Sequence, residues 1–553
     1  MNHTALNQRK IKWPWILTCS LFSIAFIQTA WICEDAFITL RTVDNIINGF
    51  GPVWNIGERV QAYTHPLWLA LITPTTYLIG DPYITLIFIS YGLLIATLLI
   101  VQATRQAWGM WSIIAILSLL WSRSFIDYSS SGLENPLSHF LIATFLFFWI
   151  HPHTKNNPLI LSLLASALYL NRPDGVVLIA PALLQVFWQH KKVIPLLLGS
   201  LPAITWSAFS LLYYGSLIPN TALAKLATGT PLSTRIQQAF NYIDWTLHND
   251  PMTIIIIILG TIAGFSQLKL RALAIGLILW IMYLCFIGAD YMGGRFFSSA
   301  TLAAAILMAL ASNAALNLSL ILSLGSTAWI LIHTIGSPSN FENKSISPSG
   351  VADERGFYYS KLGMLPSIQQ RTWQTHRWFK EGRLASRTPG VYTRCAIGVT
   401  GYTAGPQAYI IDPLALSEPF LARLPSRPIA RVGHYERAFP AGFLASRIQR
   451  KNLIDDPKLK ALYADVLLAT QSKNLLTVDR LNAIWRLTTN QHQTAISDHD
   501  RDAIGLPGHA RITNEAQSCY GIPYGWSGFY RLEGSPPRAI DILDKRTRPA
   551  MQP

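Results

Sequence analysis

The chain has 553 residues, of which 51% are hydrophobic and 13% are charged, and its formal net charge is +15. A soluble domain carries about 25% charged residues, so this composition excludes an ordinary soluble protein. Uncharged runs such as LIFISYGLLIATLLIV are of bilayer-spanning type. Because no aromatic-interleaved basic motif accompanies the positive charge, we expect a membrane protein with no nucleic-acid partner.

The first predicted span covers residues 15–31 and follows three basic residues. Basic residues favour the cytoplasmic flank of a span, so this helix should deliver Glu34 and Asp35 to the outer membrane boundary. It is too long for a signal peptide and lacks a small-residue cleavage site, so we expect a retained anchor. A solvated helix end is the alternative for a lone acid, but two adjacent acids before a polar and aromatic run favour an extracytoplasmic active site.

The basic loops further along the chain set the rest of the predicted topology. Loops 151–158, 189–192 and 267–271 should be cytoplasmic, which places 129–136, 171–175, 214–225 and 288–297 outside. This path requires one of the segments 66–80 and 82–103 to be short, re-entrant or interfacial. The count is then about eleven spans, the last near 315–335.

The character of the chain changes at about residue 337. We predict a multi-span helical domain over 1–336 and an extracytoplasmic α+β domain over 337–553, so that the fold is mainly α. Within the second domain, YIIDPLALSEPFLARLP predicts a strand, a turn at Asp412 and a helix capped by Ser417, and 459–470 predicts an amphipathic helix. Cys395 and Cys519 could form a disulfide there.

Arginines recur in this second domain, from Arg371 to Arg387 and from Arg423 to Arg437. An anionic partner in the outer leaflet, such as a lipid phosphate, would suit a basic face. Plain solubility and orientation charge is the alternative.

The outer loops contain every type of residue that sugar transfer onto a hydroxyl needs. The chemistry requires a base for the acceptor, positive groups for a departing phosphate, and polar or aromatic side chains for the sugar. Glu34 and Asp35 are the candidate bases. The candidate phosphate ligands are Arg41, Arg59, Arg172, Lys225 and Arg295. The candidate sugar and acceptor ligands are Trp54, Asn55, Tyr63, His65, Glu134, Asn135, Asp174, Asn220 and Tyr291.

Several of these residues have a structural alternative. Asp174 could cap a helix after Gly175, Glu134 could pair with a neighbouring arginine, and His65 could be an interfacial hydrogen-bonding group. The same inventory would also suit a transporter or flippase of lipid-linked glycans, although the one-sided placement of the polar residues argues against transport. No Cys/His metal spacing is present, so no metal site or cofactor is predicted, and a divalent cation stays an open question.

The pattern resembles the GT-C superfamily of membrane glycosyltransferases, which carry an acidic motif in the first outer loop. The segment EDAFITLRTVDNIINGFGPVWNIGERVQAYTHPLW is similar to the first loop of the AftB-type terminal arabinofuranosyltransferases. GVTGYTAGPQAYIIDPLALSEPFLARLP and RVGHYERAFPAGFLAS also resemble that group. SGLEN, NRPDG and GGRFF are the more distinctive parts of the middle helices.

This resemblance implies an inverting transfer of D-arabinofuranose from a decaprenylphosphoryl arabinose donor, outside the cytoplasmic membrane. Carried over by position, the base would be one of the two first-loop acids, with Asp35 preferred to Glu34. The acceptor could be a cell-wall or other surface glycan, or a pilin, because related pilin arabinosyltransferases modify a protein. Membrane lipids would surround the helices.

Overall fold

The computed structural model describes residues 12–104, 110–151, 157–191, 193–311, 346–427, 432–493 and 530–531. Fifteen helices are described before residue 312: α1 Lys12–Thr29, α2 Ala36–Ile47, α3 Pro66–Ile79, α4 Pro82–Ala103, α5 Met110–Leu117, α6 Arg123–Asp127, α7 Asn135–Ile150, α8 Asn157–Asn171, α9 Val176–His190, α10 Val193–Tyr214, α11 Asn220–Leu226, α12 Leu232–Asn249, α13 Pro251–Phe265, α14 Arg271–Ile287 and α15 Ser298–Ala311. The mainly helical fold class is thereby confirmed.

By length and composition, α4 and α10 are long and apolar enough to cross a membrane. The pair α12 and α13 would add a third span if it counts as one broken helix, although the two axes differ by 108°. Seven further apolar helices have 10–17 residues. The predicted total of about eleven spans stays a prediction, and the last predicted span, 315–335, lies outside the described residues.

The C-terminal region, by which we mean the described residues from 346 onward, packs against one end of the helical part. We call that end the domain face. The Ile32 amide donates to the Leu362 carbonyl at 3.1 Å, and Arg123 pairs with Asp353 at 2.7 Å. The end of α1 and the start of α6 therefore both lie at the domain face.

Helix α3 has both of its ends at the domain face. His65, just before it, lines a cavity at that face, and Asp81, just after it, accepts a hydrogen bond from the Trp373 indole at 3.2 Å. Gly80 turns the chain between α3 and α4 with φ +79°, a conformation that glycine adopts without steric cost. Whether segment 66–80 or 82–103 is short, re-entrant or interfacial in the membrane stays a prediction.

The C-terminal region combines short helices with a small sheet. Its elements are α16 Glu354–Leu362, α17 Met364–Gln369, α18 Arg377–Ser386, β1 Gly390–Thr393, α19 Gly398–Ala404, β2 Ala408–Ile411, α20 Phe443–Gln449, α21 Pro457–Gln471, α22 Val478–Thr488 and β3 Tyr530–Arg531. The strand order is β2-β1-β3, with β1 parallel to β2 and antiparallel to β3. The helix expected over 459–470 is confirmed as α21.

The helix predicted after Asp412 is wrong. Only a 3₁₀ turn forms, at Leu421–Arg423. The Asp412 carboxylate accepts from the amides of Leu414, Leu416 and Ser417 at 2.9, 2.6 and 3.3 Å. These bonds satisfy the amides in a closed turn, so Ser417 does not cap a helix.

The two predicted domains share their main hydrophobic core. Leu362, Trp378 and Val399 of the C-terminal region belong to the same buried cluster as Trp31 and Phe37 of the helical part. The proposed boundary at residues 336–337 lies outside the described residues, and the division into 1–336 and 337–553 stays a prediction.

Close helix packing predicts opposite effects for two glycines. A Cβ on Gly276 in α14 would lie 1.9 Å from the Leu178 carbonyl oxygen of α9, whereas a Cβ on Gly92 in α4 would meet nothing within 4 Å. Gly276→Ala should lower the free energy of unfolding by about 1–3 kcal/mol through overpacking. The matched Gly92→Ala should be neutral or raise it by up to about 1 kcal/mol. Thermal unfolding in detergent measures both, and equal melting temperatures would contradict the packing.

Candidate functional site

A cavity of about 400 Å³ opens at the domain face. It is formed by the ends of α2, α3, α7, α8, α11, α14 and α15, which meet at this face. Eight of the predicted site residues line it: Asp35, Tyr63, His65, Glu134, Arg172, Asp174, Lys225 and Arg295. They are separated by up to 260 positions in the sequence, yet the fold brings them into one site.

A buried carboxylate, that of Glu134, organises the charges of the cavity. Its Oε1 is 3.3 Å from Arg172 Nη1 and 3.1 Å from Arg295 Nη2. Arg172 also pairs with Asp174 at 3.0 Å, and Arg295 lies 3.7 Å from Asp290. Burial alone would raise the pKa of Glu134, but the neighbouring guanidinium groups lower it to about 2. Glu134 is therefore ionised, and both arginines already have carboxylate partners.

His65 is a neutral member of this cluster. Burial lowers its pKa to about 4 despite the nearby Glu134. Its Nε2 lies 2.8 Å from the Thr39 hydroxyl, and its Nδ1 lies 3.5 Å from Glu134. Because the ring is uncharged at neutral pH, it can present a hydrogen bond to a ligand but adds no charge to the site.

Asp35 is the first-loop acid that faces the cavity. The Tyr291 hydroxyl donates to its Oδ2 at 3.1 Å, and the part of the chain that the structure describes offers no partner for its Oδ1. Burial raises the pKa of this carboxyl above its ordinary value, Lys225 and Arg295 lower it in part, and Asp290 raises it further. A carboxylate with a raised pKa and one open oxygen has the properties of a general base.

Glu34 points away from the cavity and into the C-terminal region. Its Oε1 accepts from the amides of Gly398 and Val399 at 2.5 and 3.2 Å, at the start of α19. A Cβ on Gly398 would lie 2.1 Å from the Glu34 carbonyl oxygen, so glycine is required for this approach. Burial and the adjacent Asp35 raise the pKa of Glu34 to about 8. The two neighbouring acids thus have different surroundings.

Lys225 differs from the cavity arginines because no carboxylate lies within ion-pair distance of it among the described residues. Its ammonium group sits 5.8 Å from the Tyr291 ring centroid, and it lines the cavity at the end of α11. The ammonium is therefore available to an anionic ligand.

The remaining predicted ligands lie outside the cavity lining. The Arg41 guanidinium donates to the backbone carbonyls of Trp54, Gly401 and Ala408, and its Cζ lies 4.2 Å from the centroid of the Trp54 ring. The other side-chain contacts are Asn55 with the backbone of Ile410, Arg59 with the carbonyls of Tyr213 and Ser472, Asn135 with the Ser298 hydroxyl, and Asn220 with the carbonyls of Ala415 and Leu416. Arg41, Asn55, Arg59 and Asn220 join the helical part to the C-terminal region, whereas Asn135 bonds within the helical part, and we assign none of them a ligand. Tyr291 also lies outside the lining, and its hydroxyl donates to Asp35 Oδ2.

Sequence reasoning missed several cavity residues. Asp290 lies in the predicted outer loop 288–297, which also contains Arg295. An acidic residue in that loop was the signal from which its place in the cavity could have been predicted. Tyr435 and Gly433 come from the segment RVGHYERAF of the C-terminal region. The aromatic residues Tyr169, Tyr283 and Phe296 lie at helix ends, where aromatic side chains are common and carry no specific signal.

The predicted disulfide is described only at one end. Cys395 is disulfide-bonded, and Cys19, Cys33 and Cys285 are free thiols. Cys519 lies outside the described residues, so the pair Cys395–Cys519 stays a prediction. In the described part of the chain, no group of three or more His, Cys, Asp or Glu side chains could hold a metal ion.

Comparison with known proteins gives two relatives. The chain is 30% identical over 250 residues to a terminal β-(1→2)-arabinofuranosyltransferase of Mycobacterium tuberculosis, a match covering 40% of this chain and 39% of that protein. It is 29% identical over 249 residues to the protein of the same description from Corynebacterium glutamicum, covering 38% and 36%. No family model matches the chain, and no solved structure matches it.

These matches confirm the resemblance to the terminal arabinofuranosyltransferases. The chain matches less than two fifths of the length of each relative. With its apolar helices, it is a membrane protein similar to enzymes that transfer a sugar.

The raised pKa of Glu34 predicts a pH dependence of stability. The folded state holds a proton up to about pH 8, whereas an unfolded glutamate releases it near about pH 4.3. The free energy of unfolding should therefore fall as pH rises between these values. Glu34→Gln, which cannot ionise, should flatten this fall in thermal unfolding at pH 5.5 and 8.5, and the exposed Asp479→Asn should not. The same slope in wild type and Glu34→Gln would contradict the assignment.

Proposed function

We propose that this protein is a membrane glycosyltransferase that moves D-arabinofuranose from a decaprenylphosphoryl arabinose donor to a surface glycan or a pilin. The observation that carries the proposal is that one cavity contains two groups without a partner among the described residues. They are a carboxylate oxygen of Asp35, which has no hydrogen-bond partner, and the ammonium of Lys225, which has no carboxylate partner. The similarity to the two arabinofuranosyltransferases supports the choice of sugar.

In the proposed reaction, Asp35 is the general base. Its Oδ1 takes the proton of an acceptor hydroxyl, whose oxygen forms a bond to C1 of arabinose. The bond between C1 and the phosphate oxygen breaks with inversion, and the polyprenyl phosphate leaves with the electron pair. Tyr291 holds Oδ2, so the carboxylate presents its open oxygen in a fixed orientation.

Lys225 is the proposed ligand of the donor phosphate. Arg172 and Arg295 each have two carboxylates nearby, and we infer that they stabilise the leaving group through their field. The lip of the cavity beside Lys225 is apolar, because Leu217, Ile218 and Leu226 line it and are about half exposed. This lip offers the isoprenoid tail a route into the bilayer.

The sugar and acceptor would lie among hydroxyl and aromatic side chains on the other walls. Tyr63, His65 and Tyr283 supply these groups from the helical part, and Tyr435 supplies one from the C-terminal region. We propose that the helices cross the inner membrane repeatedly and that the domain face and the C-terminal region are extracytoplasmic. The basic loops 151–158, 189–192 and 267–271 support this orientation.

Asp35→Asn should lower turnover by about 10²–10⁴ while leaving the KM for the donor nearly unchanged, because the amide cannot take a proton. Glu34 serves as the control for Asp35, because it is the adjacent acid and its side chain points away from the cavity. Glu34→Gln keeps an oxygen that accepts from Gly398 and Val399 and should retain most of the turnover. Glu34→Ala loses both bonds, and we expect a fall of about 10²-fold through misplacement of Asp35.

The assay uses purified full-length protein, decaprenylphosphoryl arabinose and a short arabinan or pilin acceptor. A dead Glu34→Gln beside an active Asp35→Asn would exchange the roles of the two acids. Near-normal transfer by both amide variants would contradict the mechanism, and lipid transport that survives in both would favour a flippase.

Lys225→Gln should raise the KM for the donor by roughly 10- to 100-fold, because a hydrogen bond to a charged group contributes about 1.5–3 kcal/mol. The matched variant is Lys361→Gln, which removes an exposed lysine of α16 away from the cavity. Steady-state kinetics at varied donor concentration provide the measurement. An unchanged donor KM in Lys225→Gln would exclude this lysine from the phosphate site.

A further inference from the structure

A second, larger cavity of about 770 Å³ lies apart from the candidate active site. It is an apolar groove with walls from α1, α4 and α17, and we call it the α1–α4 groove. The two cavities share no lining residue. The body of the groove is formed by Phe26, Ile27, Ile84, Ile87, Phe88 and Met364.

Contacts within the chain hold the walls of this groove in place. The Met364 amide donates to the Ala30 carbonyl at 2.7 Å, which joins the start of α17 to the end of α1. The Tyr83 hydroxyl donates to the Leu362 carbonyl at 3.2 Å, and the Tyr83 ring stacks on Trp373 at 5.5 Å. The groove is therefore formed before any ligand enters it.

The groove opens onto an apolar surface of α4 that we expect to face lipid. Ile84 and Phe88 are more than half exposed, and both belong to α4, one of the two helices long and apolar enough to cross a membrane. Ile368 of α17, also more than half exposed, continues this apolar surface beyond the start of α4. A hydrocarbon chain in the bilayer can therefore enter the groove from the side.

One end of the groove is polar and carries a cation. Arg371 lines it with its side chain exposed, and the structure gives its guanidinium no partner within the described ranges. Asp81 is the carboxylate at this end. Its Oδ1 accepts from the Ile84 amide at 3.0 Å and its Oδ2 accepts from the Trp373 indole at 3.2 Å, so contacts within the chain hold this carboxylate in place.

We propose that the α1–α4 groove binds one anionic phospholipid of the surrounding bilayer, with an acyl chain along α4 and its phosphate at Arg371. The apolar body matches the chain and the arginine matches the phosphate. The contact between lipid and Arg371 would join the C-terminal region to the membrane surface.

The experiment uses full-length protein in nanodiscs of phosphatidylcholine with a minor fraction of phosphatidylglycerol. A photo-reactive benzoylphenylalanine replaces Phe88 in the groove. In a matched protein it replaces Leu201, a half-exposed residue of the spanning helix α10 that is distant in sequence from the groove. Mass spectrometry identifies the lipid attached at each position after illumination.

At position 88, phosphatidylglycerol adducts should exceed the bilayer fraction about fivefold, since one basic residue near a membrane surface contributes about 1 kcal/mol. Arg371→Gln should remove the enrichment, and Arg371→Lys should keep most of it. At position 201 the adducts should follow the bilayer composition in every variant.

The proposal would be overturned if the fraction of phosphatidylglycerol adducts were the same at positions 88 and 201. It would also be overturned if the phosphatidylglycerol enrichment at position 88 persisted in Arg371→Gln. A third arm adds decaprenyl phosphate to the nanodiscs. If that lipid replaces phosphatidylglycerol at position 88, the groove belongs to the donor path and the proposal fails. Sugar transfer is not the readout, so the result is independent of the proposed function.

Discussion

The site depends on one buried carboxylate between two guanidinium groups. Glu134 precedes α7, Arg172 follows α8 and Arg295 precedes α15, so a single ion cluster fixes the ends of three helices. Removing one partner of a buried pair leaves an uncompensated charge and costs about 3–5 kcal/mol. Since His65 also contacts Glu134, the loop before α3 is held by the same group. Much of the cavity wall is thus built around Glu134.

The C-terminal region completes the environment of the candidate base. Gly398 and Val399 hold Glu34, the residue just before Asp35, and His434 packs edge-on against Tyr291 with ring centroids 4.2 Å apart. Tyr291 in turn holds Asp35. The position of one carboxylate therefore depends on contacts from two distant segments of the chain. A cavity formed by the helices alone would not orient Asp35 in this way.

The convergence of the polar loops could be predicted from the sequence, because the prediction depends only on the alternating direction of consecutive spans. The predicted spans alternate in direction, which would place every second loop at the same face, and Glu134, Arg172 and Arg295 each stand in such a loop. The destination of Arg41 could not be predicted, because its partners include backbone carbonyls of Gly401 and Ala408, some 360 residues away. Backbone groups carry no residue-specific signal, so a buried structural arginine looks like a phosphate ligand.

The same limit explains the wrong helix after Asp412. Residues 417–424 have helix-start chemistry, and local propensity favours a helix there. The carboxylate of Asp412 instead accepts from the amides of Leu414, Leu416 and Ser417 in a closed turn, an arrangement that local sequence patterns do not predict. By contrast α21, with its periodic apolar residues and the Asp456 cap that accepts from the Leu459 amide, forms as local rules require.

The charges of the cavity suit the proposed transfer because the reaction moves a charge without creating one. As Asp35 takes the acceptor proton, it loses its negative charge, and the phosphate gains one as the bond to the sugar breaks. The total charge inside the protein is unchanged, which avoids the large cost of forming a new buried ion. The charge moves towards Lys225 and Arg295, the two cations whose fields act on Asp35. A raised pKa on Asp35 and an unpaired cation beside it therefore favour the same step, proton transfer coupled to departure of the phosphate.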